Sequence, residues 1–286
     1  MKHQKIYWSI FGVVFVVFVL GLFFDLSFAQ MIYDRGNFFG KLVASIGETP
    51  AYGGLAFVGG GLTIEAIRRK DTKIKVFLFG LAILCVIVGV FLSQRAFKSH
   101  NAFDIEDKWY IALPIALVID GACFAGGFYL TKKSDNERIL RVLIFMFTSI
   151  VFVLLTVTVL KRIWNRPRYR FIVEADSNLF RNWWQIGFNL KLDSDEFKSC
   201  PSGHTSSAAC ALLLMYLPMF NAKLKNKELI LLIIGAIWAA LVGFTRHIMG
   251  AHFITDTTFA ILIAMGIIFV LDFIFFKYKK KIKKVD

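Results

Sequence analysis

The sequence predicts an all-α, polytopic membrane helix bundle of about eight transmembrane helices. Three observations carry that prediction. Hydrophobic residues make up 57% of the 286-residue chain, above the roughly 45–50% of an ordinary soluble domain. Apolar runs recur along the whole length, many close to the about 20 residues that a helix needs to cross a bilayer core. The lysines and arginines sit in short loops between those runs.

Eight segments follow in order, near residues 6–27, 51–67, 74–94, 109–131, 139–160, 203–220, 229–246 and 255–276. The first precedes a small-residue "SFA" that resembles a signal cleavage site before Gln30. Its apolar stretch exceeds the usual roughly 7–15 residues of a signal, so an uncleaved anchor is expected. The second is short and glycine-rich ("GGLAFVGGG") and carries Glu65. Its glycines suit close helix packing, as do those of "GACFAGG" in the fourth. Asp120, also in the fourth, is costly to expose to lipid and is expected to face the bundle interior. Residues 1–72 read as an N-terminal two-helix extension, and 73–286 as a six-helix core ending in a basic tail.

The formal net charge is +14. Nucleic acid is not implied, because loop placement makes these charges a topology signal. "RRKDTKIK", "KKSDNERILR", "NAKLKNKE" and "KYKKKIKKVD" follow segments two, four, six and eight. The positive-inside rule then puts both termini in the cytoplasm and residues 161–202 and 247–254 together on the opposite face. A bacterial plasma membrane is the expected setting. The four cysteines form no Cys-x-x-Cys pair and read as structural. The aromatic loop "FRNWWQIGFNL", 180–190, suits the headgroup level, as anchor belt or as lid. His100 and His247 have no spacing argument and read as solvated.

Three clusters fall on that shared face. Lys161 and Arg168 lie seven residues apart in "KRIWNRPRYR"; "PSGH" spans 201–204; Arg246 precedes His252 by six residues, and Asp256 follows it by four. Lys161, Arg168 and Arg246 are cations, and the two arginines can grip phosphate oxygens bidentately. The Ser202 hydroxyl and the amides around Gly203, where a helix begins, add donors. This describes a phosphoryl pocket with no metal and no cofactor, since cations can neutralise transition-state charge themselves. In a helix starting near His252, Asp256 lies on the same face and can accept the Nδ1 proton, leaving Nε2 as nucleophile. His204 can protonate the departing oxygen and later take a proton from water.

These clusters resemble the type 2 phosphatidic acid phosphatase superfamily of integral membrane phosphatases. Its pattern is K-x6-R-P, P-S-G-H and S-R-x5-H-x3-D. The matches are Lys161 and Arg168, Pro201 to His204, and Arg246, His252 and Asp256. Tyr169 stands where the family has proline, and Thr245 where it has serine. The resemblance covers about 74–276 and implies His252 as nucleophile, His204 as acid/base and Asp256 as its orienting partner. The expected substrate is a lipid phosphate or isoprenoid diphosphate in the bilayer: an isoprenoid carrier, phosphatidylglycerophosphate or phosphatidic acid. A phosphotransferase with the same histidines is the alternative within chemistry. A lipid transporter that merely binds phosphate is the alternative outside it, and has no use for a nucleophile–orienter pair.

Overall fold

The computed structural model describes residues 4–98, 108–134, 137–175, 177–188 and 194–278. The basic tail beyond Tyr278, His100 and the end of the aromatic loop lie outside them. The described residues form helices α1 (Gln4–Ile32), α2 (Phe38–Gly47), α3 (Thr49–Arg68), α4 (Thr72–Lys98) and α5 (Trp109–Lys132). There follow α6 (Ile139–Trp164), α7 (Tyr169–Ala175), α8 (Gly203–Ala209), α9 (Glu228–Ile248) and α10 (Ile254–Asp272). A 3₁₀ segment, Cys210–Met219, continues α8.

The all-α bundle is therefore as the composition predicts, and the chain is a multi-pass membrane protein. Six stretches, containing α1, α4, α5, α6, α9 and α10, are long and apolar enough to cross a membrane. Their outward faces carry large apolar side chains such as Phe23, Phe77, Val118 and Ile237, a surface suited to lipid rather than water. The other two expected spans, α3 and α8 with its 3₁₀ continuation, are largely buried instead.

Glycine explains how α3 can be buried so closely. A Cβ on Gly60 would fall 2.0 Å from Phe124 O, and one on Gly127 only 1.9 Å from Phe57 O. The backbones of α3 and α5 are therefore in direct contact, which no larger residue permits. Glu65, buried near the end of α3, is held by Arg68 and Arg69, each at 3.0 Å. Arg68 also donates to the carbonyls of Thr131, Lys132 and Ser134 at the end of α5. Asp120 is buried in α5, on the interior side.

Helices on either side of residue 72 pack against one another. Helix α1 lies along α10, α2 packs on α9, and α3 meets α6 and α8, while α4 and α5 pack chiefly on α3 and each other. The first segment thus packs on the part of the molecule that carries the motifs, while the second, α3, bridges that part to α4 and α5. Tyr7 on α1 donates to Met265 O on α10 at 2.6 Å.

Candidate active site

Helix α6 delivers the first cluster. Lys161 sits in its last turn, and the helix stops at Asn165, which takes a left-handed conformation with φ of 44°. Asparagine tolerates that geometry better than most residues. The reversal turns Arg166 inward, where its side chain is fully buried. Four residues later the chain is helical again: α7 begins at Tyr169. Tyr169 packs edge-on against Tyr33 and Phe253. The residue that departs from the family pattern therefore fills an aromatic cluster behind the site.

The three clusters converge. A Cβ on Gly203 would stand 3.2 Å from Lys161 Nζ, so the lysine lies against the start of α8 and glycine leaves it room. Ser202 N donates to Asp256 O at 3.0 Å, tying the second cluster to the third. Arg168 Nη1 reaches Asp195 Oδ2 at 2.8 Å, while its Nε is buried with no hydrogen-bond partner. Arg246, 2% exposed, buries Nε and Nη1 without partners as well. Buried donors of this kind are rare in folded proteins, and an oxyanion between the two arginines would satisfy them.

His252 is buried at the turn between α9 and α10. Its Nδ1 donates to Ser199 O at 2.5 Å, which leaves Nε2 with the lone pair. Burial, followed by the charges of Arg168, Lys161 and Arg246, pushes its pKa well below the ordinary histidine value. That direction favours the uncharged ring.

Asp256 does not meet that ring, and here the expected pairing is corrected. It is the third residue of α10, and its Oδ2 accepts from Phe253 N at 2.9 Å, closing the helix start. The same oxygen accepts from Ser199 Oγ at 2.6 Å, and Oδ1 accepts from Arg166 Nη1 at 2.7 Å. The i, i+4 argument fails because His252 precedes the helix. Asp256 reaches His252 through Ser199 instead, one residue removed.

Ser202 and His247 have partners of their own. The Ser202 oxygen accepts from Thr205 N and shares a hydrogen bond with Thr205 Oγ1 at 2.8 Å, so it serves as the helix cap. His247 is buried rather than solvated: its Nδ1 donates to His252 O at 3.1 Å and steadies the turn from behind.

Arg166 anchors all this. Besides Asp256 it donates to Asp25 Oδ2 at 2.9 Å, Thr255 Oγ1 at 2.8 Å and Arg181 O at 2.8 Å, with its guanidinium 4.2 Å from the Phe253 ring. Asp25 comes from α1, and also accepts from Thr255 N. A charge inside an apolar span is by default a functional signal, and Asp25 carried that signal in the sequence.

His204, on the first turn of α8, lies with Nε2 3.4 Å from Oε2 of Glu48. Glu48 stands between α2 and α3, and also accepts from Tyr52 Oη at 2.9 Å and Ser207 Oγ at 3.4 Å. Nothing in its local sequence marks it.

Comparison with known families matches residues 142–280 to the PAP2 superfamily. A 64-residue stretch is 41% identical to phosphatidylglycerophosphatase B of Bacillus subtilis (strain 168). That stretch covers 20% of this chain and 30% of the relative, so the similarity spans less than a third of the relative's length. No solved structure matches the chain. All three motif clusters lie inside the matched region, so the part of the chain that carries them, residues 142–280, is similar to the PAP2 superfamily.

Proposed function

We propose that the protein is a phosphatase of membrane lipid phosphates or diphosphates, working at the extracytoplasmic face through a phosphohistidine on His252. The observation that carries this is the buried His252 ring, its Nδ1 engaged by Ser199 O, set among Lys161, Arg168 and Arg246, with unsatisfied donors on both arginines. Such donors stabilise charge that develops on phosphoryl oxygens.

In the first step His252 Nε2 attacks phosphorus and the bond from phosphorus to the lipid oxygen breaks. Its electron pair goes to that oxygen, which takes a proton from His204. In the second step water attacks the phosphohistidine and gives its proton to His204. The P–N bond breaks, its electron pair returns to Nε2, and phosphate leaves. Asp256 and Arg166 do not touch the substrate; they fix Ser199, whose carbonyl fixes His252.

A lipid rather than a soluble ester is favoured by an apolar cavity of about 700 Å³ between α3, α5, α6, α9 and the 3₁₀ segment. Thr49 and Pro50, which line it, directly follow Glu48, so one end adjoins the His204 side. Ile234 and Ile237 line it too and are exposed on the outer face of α9, so it opens toward the bilayer. The leaving group of an in-line displacement departs on the side of its acid, where this cavity begins. The Bacillus relative is named for phosphatidylglycerophosphate, which is one candidate among lipid monoesters.

The test is phosphate release from a panel of lipid phosphates by purified, detergent-solubilised protein, with His252→Ala as control. Release by the wild type and none above background by the variant is expected. Transfer of phosphate to an added lipid or sugar hydroxyl would instead favour the phosphotransferase. No turnover of any lipid phosphate would leave a binding protein or transporter.

A further inference from the structure

In the proposed reaction the two histidines do opposite work, so their surroundings must differ. His252 is flanked by Arg168, Lys161 and Arg246, which disfavour a proton on it. His204, which must carry a proton when the lipid oxygen departs, has a carboxylate 3.4 Å away. Groups whose environments pull their proton affinities apart are the usual sign of divided acid and nucleophile roles.

That carboxylate is expensive to keep where it is. Glu48 is 8% exposed, between the end of α2 and the start of α3, and burial raises its pKa above the ordinary glutamate value. A buried carboxyl needs partners, and each packed element supplies one. Tyr52 on α3 and Ser207 on α8 donate to it, while Lys161 of α6 and Arg246 of α9 attract its charge. Arg95 of α4 acts on Tyr52. The remaining neighbour is the ring of His204.

We infer that Glu48 is the positioning residue of the acid step, holding the His204 ring and keeping it protonated until the lipid oxygen leaves. This rests on the proposed phosphatase reaction. The proton passes from His204 to the departing oxygen, which holds the electron pair of the broken P–O bond. The imidazole left beside Glu48 is neutral and takes a proton from the attacking water. That transfer restores the charged pair for the next cycle. Glu48 itself touches neither phosphorus nor the leaving oxygen.

The test uses full-length protein and two phosphates, a long-chain alkyl phosphate whose alkoxide leaves badly and para-nitrophenyl phosphate. Wild-type turnover is measured first; its absence would overturn both the reaction and this inference. Glu48→Gln keeps the shape and removes the charge. Its alkyl phosphate activity should fall tenfold or more while the aryl phosphate loses much less. The alkaline limb of the kcat/KM profile should move to lower pH, because His204 gives up its proton sooner. Inhibition by inorganic phosphate should be unweakened, since no anion-binding group is lost. Equal losses on both substrates with an unmoved alkaline limb would overturn the inference and leave the phosphatase reading standing. Should Glu48→Gln fail to fold, Glu48→Asp, one methylene shorter, is read in the same way, with smaller shifts in the same direction.

Discussion

Arg166 and Asp256 meet at 2.7 Å with both side chains sealed from solvent, ninety residues apart in the sequence. The pair joins the turn after α6 to the start of α10, and Asp25 ties α1 to the same guanidinium at 2.9 Å. Removing one partner of a buried pair leaves an uncompensated charge, at a cost of about 3–5 kcal/mol. Arg166→Met leaves two such carboxylates and should lower thermal stability in detergent sharply. Arg166→Lys should rescue it only in part, because an ammonium cannot reproduce the planar fork that spans Asp25, Thr255 and Asp256. A thermal melt of both variants checks this, and a lysine variant as stable as wild type would contradict it.

The depressed proton affinity of His252 sets a pH prediction. Below its pKa the ring would be charged and unable to attack, so the acid limb of kcat/KM should lie well below 6.5, the ordinary histidine value. Burial is the largest cause, with Arg168, Lys161 and Arg246 following. Lys161→Met removes one cation, so the limb should move modestly to higher pH whatever the loss in rate. A limb that stays in place would mean the lysine charge does not act on His252. The same depression costs stability in acid. Unfolded chain takes up a proton below about 6.5 that the folded ring refuses, so stability should fall as pH drops through that value.

Periodic apolar runs and loop charge made the bundle legible, because both reflect the bilayer rather than any particular contact. The motif spacing likewise groups Lys161, Arg168, His204, Arg246 and His252 as one candidate site. Their wiring was not legible. Spacing pairs Asp256 with His252 because it cannot tell whether a histidine lies inside a helix or before it. Ser199 is joined to His252 through a backbone carbonyl, which any residue could supply. Glu48 belongs to a segment with no apolar span and acquires meaning only when α2 and α3 fold over α8. Asp25 is the exception: a lone acid in an otherwise apolar first helix, visible in the sequence though its partner Arg166 is not.

The orientation proposed from loop charge has its own test. Ser194 precedes the 3₁₀ turn that carries Asp195, partner of Arg168, whereas Lys225 lies in the basic loop before α9; both are exposed. Single cysteines at the two positions, in a background free of the native four, should label from opposite sides of the membrane. An impermeant thiol reagent applied to intact cells or spheroplasts should reach position 194 and not 225. Equal access to both would overturn the extracytoplasmic assignment while leaving the chemistry untouched.

The apolar cavity ties substrate preference to chain length. Leu214 on the 3₁₀ segment lines it beside Phe57, Met146 and Trp238, away from every group assigned to phosphate. Leu214→Trp should fill part of the volume and displace hydrocarbon. Each methylene kept from burial forfeits about 0.8 kcal/mol, so two displaced methylenes lower kcat/KM by roughly tenfold. That loss should appear with a long-chain lipid phosphate and be nearly absent with a short alkyl phosphate that never enters the cavity. The comparison controls for misfolding, since a damaged active site would slow both substrates alike. A uniform loss, or none with the long chain, would send the hydrocarbon elsewhere, toward the exposed faces of α1 or α4. The expected split would instead make the inner wall of α3, α9 and the 3₁₀ segment the part of the molecule that selects a lipid by its tail.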